Sequence, residues 1–340
     1  MTPAMLEIEG LQTYFFTEEA VVRAVDGVDI RVEAGQTVGI VGESGCGKSV
    51  TSLSIMRLLE DGGGRVVAGT IRFKGRDLLA LSDEKMRQVR GREIAMIFQE
   101  PMTSLNPILK IGEQVAEGIR LHLKLDKKRA WQKAAEALKA VGIPRTEAIM
   151  REYPYQLSGG MRQRVMIAMA MSCEPALLIA DEPTTALDVT IQAQILDLMR
   201  KLKEAKSTAI LFITHDLGVV AEMCDRVLVM YAGQVVEEAD VKTIFGDPRH
   251  PYTRGLLSSI PKPFSNQRRL GVIPGNVPVF KEVPSGCRFA ERCSVRNKKC
   301  FIKSPPLQSI KPGHFSRCWL VGPDHENEDN SGRRGTSDER

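Results

Sequence analysis

Residues 42–49, with the sequence GESGCGKS, have the residue types and the spacing that a phosphate-binding loop requires. Its glycines let backbone N–H groups turn toward phosphate oxygens without a clash from Cβ atoms. The pattern predicts that the Lys48 ammonium reaches the terminal phosphates of a nucleotide and that the Ser49 hydroxyl ligates Mg²⁺. The alternative is a glycine-rich turn without a ligand. The apolar run before the loop and the helical pattern after it favour the phosphate loop.

Two adjacent acids, Asp181 and Glu182, follow the apolar run at residues 176–180. Such a run predicts a buried strand, and open α/β sheets bind ligands at the carboxyl ends of their strands. Asp181 can there hold Mg²⁺ through water, and Glu182 can polarise an attacking water molecule. The alternative is an acidic pair that caps a loop. A phosphoryl-transfer site needs both a metal and a positioned water molecule, which favours the first interpretation.

A second anion-binding pattern is formed by Ser158, Gly159 and Gly160, which precede a helical segment. A hydroxyl and two glycine N–H groups at a helix N-terminus can cradle a phosphate. One chain with one nucleotide does not need two cradles. The pair predicts a head-to-tail dimer, with each nucleotide between the Lys48 loop of one chain and the Ser158 segment of the other. A serine N-cap with a glycine turn is the alternative, and it explains only the start of the helix.

These segments need an α/β fold to position them. Short apolar runs alternate with helical stretches from residue 37 to residue 231, which predicts a parallel sheet with crossover helices. Residues 106–141 are rich in helix-forming residues between Pro and Gly borders, which predicts a separate helical subdomain. Prolines after Gly246 break regular structure. The predicted division is an α/β ATPase-type domain at 1–247 with a helical subdomain at about 103–172, an irregular extension at 248–322 and a disordered tail at 323–340.

The composition, 43% hydrophobic and 26% charged, is typical of a globular protein. No apolar run approaches the roughly 20 residues that span a bilayer, and the first residues carry no secretory signal. We therefore expect a cytoplasmic chain that relies on other chains for any membrane-spanning helices. The net charge of +5 is uneven, because residues 261–317 hold twelve Lys or Arg and only two acids. Few aromatic residues accompany these charges, so we expect no specific nucleic-acid binding.

The basic segment also contains four of the seven cysteines: Cys287, Cys293, Cys300 and Cys318. A reducing cytosol disfavours disulfides, so clustered cysteines suggest a metal. Structural zinc sites usually use closely spaced cysteine pairs, which this segment lacks. The wider spacing suits an iron–sulfur cluster better, with zinc as the alternative metal. Four free buried thiols are the remaining interpretation.

Together, the phosphate loop, the segment LSGG at residues 157–160 and the Asp181–Glu182 pair resemble the ABC ATPase family, over about residues 5–250. The resemblance implies an ABC-type nucleotide-binding domain: a RecA-like parallel sheet core, an N-terminal antiparallel β subdomain and an α-helical signature subdomain. It implies binding of ATP and Mg²⁺. The implied ATP-binding residues are Phe15, Tyr14, Gly42, Ser44, Gly45, Cys46, Gly47, Lys48, Ser49 and Val50.

The same resemblance assigns further roles. Glu182, Gln99 and His215 would be catalytic, and Ser49, Gln99 and Asp181 would hold Mg²⁺. The residues that would contact the ATP of a second subunit are Ser158, Gly159, Gly160 and Asp188. For Gln99 the alternative is an exposed loop residue, and for His215 it is a structural histidine. For Asp188 it is a helix N-cap, which is compatible with the interface role. The adenine-stacking residue is Phe15 by spacing, with Tyr14 next, although both could belong to a core.

The C-terminal segment, including RHPYT at residues 249–253, PG at 274–275 and CRF at 287–289, resembles the extension of oligopeptide/dipeptide importer ATPases. Some of these are associated with a 4Fe–4S cluster. The resemblance implies an ATPase on the cytoplasmic face of the cell membrane that drives peptide uptake. Its implied partners are a second homologous ATPase subunit, two integral-membrane permeases and an extracytoplasmic solute-binding protein. Nickel or another small solute, a soluble non-transport ABC ATPase, and a redox-sensing extension are the alternatives.

Overall fold

A computed structural model describes residues 4–18, 20–59, 63–99, 104–185, 187–260, 271–278, 280 and 283–321. The predicted disordered tail lies outside these residues. Within them, strands β1 to β12 are Ala4–Phe16, Val21–Glu33, Thr37–Val41, Gly64–Phe73, Arg76–Asp77, Ile94–Ile97, Leu177–Asp181, Ala209–Thr214, Arg226–Tyr231, Gln234–Asp240, Gln308–Lys311 and His314–Ser316.

Across the same described ranges, helices α1 to α11 are Lys48–Met56, Asp83–Val89, Ile111–Leu123, Lys127–Ala140, Thr146–Ile149, Gly159–Met171, Val189–Lys206, Leu217–Met223, Val241–Gly246, Pro251–Ser258 and Lys298–Ile302. Short 3₁₀ turns cover Pro154–Gln156, Ala290–Arg292 and Trp319–Val321. Among the helices of the described residues, none combines the length and the apolar character needed to cross a bilayer.

The larger sheet has eight strands in the order β11-β12-β10-β9-β3-β8-β7-β6. Strands β6, β7, β8, β3 and β9 pair in parallel, and every residue of β3 and of β7 is buried. Parallel strands of this kind are covered by helices on both faces and are therefore apolar throughout. The carboxyl ends of β3 and β7 lead directly into the phosphate loop and to Asp181. The predicted parallel core is confirmed.

The smaller sheet is antiparallel, in the order β2-β1-β4-β5. Strands β1 and β2 have 13 residues each. Leu6, Ile8 and Leu11 of β1 are buried, whereas Glu7 and Glu9 are more exposed, so the sheet packs one face on the core. The sheet carries Tyr14 and Phe15 near the end of β1. The expected antiparallel β subdomain is confirmed.

The helical segment at residues 106–141 differs from a single continuous helix. The helix α3 ends at Leu123, and its C-cap, Lys124, has a left-handed φ of 53°. The helix α4 begins after the N-cap Asp126, whose side chain accepts a hydrogen bond from the Arg129 amide at 2.9 Å. A left-handed residue followed by an acidic N-cap ends one helix and starts another. Apolar stripes on both helices pack into a common core with α6.

The C-terminal extension is joined to the parallel-sheet core by hydrogen bonds. Its strand β12 pairs with β10, and α10 adds a helix where the sequence suggested irregular structure, so that expectation is wrong for these elements. The fully buried carboxylate of Glu237 in β10 accepts hydrogen bonds from the backbone amides of Arg249, at 2.6 Å, and His250, at 2.8 Å. His314 Nε2 of β12 lies 2.8 Å from the same carboxylate. The domain division near residue 247 remains a prediction.

Candidate functional site

The phosphate loop connects β3 to α1 and depends on glycine for steric reasons. Gly42, Gly45 and Gly47 have φ values of 154°, 80° and 107°. A Cβ atom at Gly42 would lie 2.3 Å from the Met230 carbonyl oxygen, and one at Gly47 would lie 2.4 Å from a backbone oxygen of β2. Both the dihedral angles and the space exclude a side chain. The loop is therefore held tightly against its neighbours, as close approach to a phosphate requires.

Lys48 is the first residue of α1, and its side chain lies inside the loop. The residue is 6% exposed, and its ammonium donates to the carbonyl oxygens of Gly42, at 2.8 Å, and Glu43, at 3.1 Å. Ser44 and Gly45 are exposed at the tip of the loop, whereas Cys46 is fully buried. The lysine charge therefore sits within the curve that the sequence predicts to receive phosphate.

Asp181 and Ser49 lie together, as a magnesium site requires. Ser49 Oγ donates to Asp181 Oδ1 at 3.1 Å, and Ser52 Oγ donates to Oδ2 at 3.4 Å. Asp181 is 3% exposed, and burial, followed by the nearby charge of Glu182, raises the pKa of its carboxyl above the ordinary value. Hydroxyl and carboxylate oxygens are the ligands that Mg²⁺ prefers, so these residues fit the ion. A bound cation would also compensate the buried negative charge.

Three polar side chains contact Glu182 near the carboxyl ends of β7 and β8. Its carboxylate accepts from Gln99 Nε2 at 3.2 Å and from Thr185 Oγ1 at 2.9 Å, and it lies 3.3 Å from His215 Nδ1. Its backbone has a left-handed φ of 48°, a conformation that non-glycine residues adopt rarely and that often marks functional positions. The structure thus brings together the three residues predicted to be catalytic.

The Ser158 segment lies at the start of α6, where Ser158 and Gly159 are exposed and Gly160 is partly buried. Ser158 Oγ accepts from the Met161 amide at 3.3 Å, and Gly159 has open space where a side chain would be. Asp188 is also exposed and caps α7 by accepting from the Ile191 amide at 2.9 Å, which confirms the N-cap interpretation. These groups are accessible to a partner, and their contact with a second subunit's ATP remains a prediction.

The two aromatic residues considered for adenine have different surroundings. The Tyr14 hydroxyl donates to Asp26 Oδ1 at 2.9 Å, the Arg23 guanidinium lies 5.3 Å from its ring centre, and burial raises its pKa. Phe15 packs against Gly64, where an added Cβ would lie 2.8 Å from the ring. The hydroxyl of Tyr14 is therefore engaged within the protein. Which ring stacks on adenine remains a prediction.

The four extension cysteines lie close together in the fold. Cys293, Cys300 and Cys318 are buried, Cys287 is partly buried, and the Cys287 amide donates to the Cys300 carbonyl at 2.7 Å. Burial raises the pKa of Cys287 and Cys293, and that of Cys318 to about 11. Metal ligation needs thiolates. Among the described residues, no group of three or more His, Cys, Asp or Glu side chains is arranged to hold a metal ion, so the expected iron–sulfur or zinc site is not supported.

Sequence reasoning missed the contacts between the extension and the phosphate loop. Arg292 forms a double ion pair with Glu43, and the Tyr252 hydroxyl accepts from the Glu43 amide at 2.9 Å. Glu43 occupies a loop position where the phosphate-loop pattern allows any residue, and Arg292 lies 249 positions away. No local signal in the sequence links the two residues.

Three family models match parts of the chain. The ABC transporter model matches residues 25–185, and the model described as the oligopeptide/dipeptide transporter C-terminal region matches residues 236–300. A model described as an AAA domain, putative AbiEii toxin of a type IV toxin–antitoxin system, matches residues 151–221. The second match begins in β10 and covers the extension as far as Cys300.

Similar proteins extend over nearly the whole chain. The oligopeptide transport ATP-binding protein AppD of Bacillus subtilis is 54% identical over 93% of this chain and 96% of its own length. The probable peptide ABC transporter ATP-binding protein y4tR of Sinorhizobium fredii is 54% identical over 93% and 94%. Among solved structures, the dimeric ATP-binding cassette MJ0796 bound to ADP and Pi superposes with a TM-score of 0.63 at 27% identity, covering 70% of this chain and 99% of that one. The chain therefore belongs to the ABC transporter ATP-binding family, in the group that carries the oligopeptide/dipeptide transporter C-terminal region.

Proposed function

We propose that this chain is the ATP-hydrolysing subunit of a peptide importer, with its active centre at the carboxyl ends of β3, β7 and β8. The observation that carries the proposal is the contact of Glu182 with both Gln99 and His215, beside the Ser49–Asp181 pair. Metal-binding and water-positioning groups are both required for phosphoryl transfer. The names of the similar peptide-transport proteins support the coupling of this chemistry to uptake.

In this proposal each group has a separate task. Backbone N–H groups of the phosphate loop and the Lys48 ammonium bind the β- and γ-phosphates of ATP. Ser49, Asp181 and Gln99 would hold Mg²⁺, which would neutralise developing phosphate charge. Glu182 accepts hydrogen-bond donation from the attacking water and polarises it, and His215 contacts the γ-phosphate. The Gln99 amide, now bonded to Glu182, would exchange partners when ATP binds.

A second ATPase subunit completes the site in the proposal. The exposed N-terminus of α6, with Ser158, Gly159 and Gly160, offers N–H groups and a hydroxyl to ATP held by the facing subunit. Asp188 would lie at the same interface. The related cassette MJ0796 is dimeric in its ADP- and Pi-bound structure, which supports this arrangement. We propose a homologous but different second subunit, with a homodimer as the alternative.

Membrane partners supply the transport path. We propose two integral-membrane permeases, an extracytoplasmic solute-binding protein and a peripheral position of this chain on the cytoplasmic face of the membrane. The solute is a di- or oligopeptide, as the relatives' names suggest, and nickel or another small solute is the second candidate. A soluble, non-transport ABC ATPase is the weaker alternative, because the relatives' names refer to peptide transport.

We also propose that the four extension cysteines are ligands of a 4Fe–4S cluster or, alternatively, of zinc. Burial, and then the neighbouring Cys287, Cys293 and Cys300, raise the pKa of Cys318 to about 11, which supports their proximity, and cations surround the four cysteines in sequence. A 4Fe–4S cluster or zinc would require rearrangement of these side chains and loss of their protons. The iron, sulfide and zinc contents of anaerobically purified protein test this part. Four titratable thiols and neither metal would contradict it.

Two measurements test the main proposal. The first is binding of Mg·ATP to the full chain by calorimetry, with Lys48→Ala as the loss variant. The second is ATP-dependent uptake of labelled tripeptides and of nickel by vesicles containing the complex purified with its permeases. Binding unaffected by Lys48→Ala would reject the ATP site. Uptake of nickel without peptide uptake would reject the peptide assignment.

A further inference from the structure

The extension contacts the phosphate loop at Glu43 through two of its residues. The Arg292 guanidinium donates to the Glu43 carboxylate from both of its Nη atoms, from Nη1 to Oε2 at 2.7 Å and from Nη2 to Oε1 at 2.9 Å. The buried Tyr252 hydroxyl accepts from the Glu43 backbone amide at 2.9 Å. Both the side chain and the main chain of this loop residue are therefore held by groups that follow residue 250.

Arg292 is itself fixed within the extension. Its Nε donates to the Pro274 carbonyl at 2.8 Å, its Nη2 donates to the Gly275 carbonyl at 3.0 Å, and its side chain is 8% exposed. The guanidinium also lies 5.6 Å from the centre of the Tyr231 ring. An exposed ion pair contributes little because both partners are mobile and hydrated. The Arg292–Glu43 pair differs, because the arginine side chain is buried and contacts the carboxylate with two hydrogen bonds. Its orientation is also fixed by the carbonyls of Pro274 and Gly275, independently of the loop.

Glu43 transmits this restraint to the phosphate-binding groups. Its carbonyl oxygen accepts from Lys48 Nζ at 3.1 Å and from the Cys46 amide at 3.3 Å. On the other side of the loop, the Gly233 amide donates to the Cys46 carbonyl at 2.9 Å. A displacement of Glu43 would move the carbonyl that orients Lys48 and would release the first half of the loop.

We propose that Arg292, together with Tyr252, is a positioning residue for ATP binding, and that the C-terminal extension is a working part of the nucleotide site. The inference rests on the proposed assignment of residues 42–50 to ATP. A glycine-rich loop that is already ordered loses less entropy when it binds its ligand. This effect acts on affinity.

The test is a double-mutant cycle on the full chain with Mg·ATP as the probe. We expect Arg292→Gln and Glu43→Gln each to raise the Kd for Mg·ATP about tenfold, and the double variant to raise it about tenfold rather than a hundredfold, because one contact is lost in all three. Arg292→Lys keeps the charge with fewer hydrogen bonds and should recover part of the affinity. Lys311→Gln, which removes another extension cation whose exposed ion pair is with Asp247, is the matched control and should stay within twofold.

The outcomes separate this inference from the proposed function. Unchanged affinity in Lys48→Ala would reject the ATP loop itself. Loss of affinity in Lys48→Ala, with folded Arg292→Gln within twofold of wild type, would overturn the positioning role. Effects that multiply in the double variant would also overturn it, because the two residues would then act independently. If Arg292→Gln does not fold, Glu43→Gln and Arg292→Lys decide, and affinities within twofold of wild type in both reject the inference.

Discussion

Replacing Asp181 by Asn should stabilise the ligand-free protein and weaken its binding of Mg·ATP. The carboxylate is 3% exposed at the end of β7 and accepts hydrogen bonds from Ser49 and Ser52. Burial raises its pKa, which means that the charged form is disfavoured in the fold. Asparagine has nearly the same shape and no charge, and its amide oxygen can still accept from Ser49.

We expect the free energy of unfolding at pH 7.5 to rise by about 1 kcal/mol in Asp181→Asn. Replacing a buried ion pair by neutral residues of similar volume is often neutral or stabilising by about 1–4 kcal/mol, and we place this single carboxylate, with its two serine hydrogen bonds, at the lower end. The sign of the pH dependence follows from the raised pKa, because the folded chain then binds a proton more readily than the unfolded one. The gain is full above the folded pKa of Asp181 and disappears as pH falls toward the unfolded value of about 4.

The assay combines urea unfolding at several pH values with ATP binding in Mg²⁺ and in EDTA. In Mg²⁺ the variant should bind ATP at least about tenfold more weakly, because the metal contact is lost. In EDTA the variant should bind ATP at least as well as the wild type, because a negative charge near the phosphates has been removed. Asp197→Asn is the control, since that acid is exposed on α7 beside Lys201, and its stability should change by less than about 0.5 kcal/mol.

Two results would refute the reasoning about Asp181. One is a lower free energy of unfolding for Asp181→Asn at pH 7.5, which would mean that its hydrogen bonds outweigh the cost of the buried charge. The other is a difference between the two proteins that stays constant as the solution is acidified. An equal loss of ATP affinity in Mg²⁺ and in EDTA would instead remove the magnesium role.

Three further predictions concern other parts of the molecule. Glu182→Gln should retain Mg·ATP binding within about threefold and lower ATP turnover by at least about a hundredfold, because an amide polarises water poorly; unchanged turnover in a phosphate-release assay would contradict its role. Burial lowers the pKa of His250 to about 3, so the unfolded chain binds a proton below about pH 6.5 that the folded chain does not. Stability should therefore fall by about 2 kcal/mol between pH 7.5 and pH 5, and His250→Asn should show a smaller fall in chemical denaturation; parallel curves would reject this. Ser158→Ala and Ser82→Ala each remove a helix N-cap and should cost about 1 kcal/mol of stability, but only Ser158→Ala should reduce turnover of the assembled transporter beyond that; equal turnover in both would exclude a role in the facing site.

The sequence predicts those parts of the site in which local pattern and chemistry coincide. The glycines of the loop are required by local dihedral angles and close backbone contacts, and Asp181 ends a strand whose apolar run is unmistakable. Residue types at fixed spacing therefore located both. The boundaries were less accurate, since the break between α3 and α4 depends on a left-handed Lys124, which no residue preference indicates.

Contacts between distant segments could not be predicted. The Arg292–Glu43 pair joins residues 249 positions apart. The cysteines illustrate the same difficulty, because their spacing in the chain does not determine how their sulfurs are oriented. Their side chains lie near each other without the geometry of a metal site.

Glu237 has a consequence for how such proteins can be recombined. Its buried carboxylate is held by the Arg249 and His250 amides and by His314, all supplied by the following segment. A chimera joined near residue 247 would pair this carboxylate with residues of foreign origin, and a missing partner would cost about 3–5 kcal/mol. The natural crossover point therefore lies before β10, so that Glu237 is transferred together with the residues that bind it.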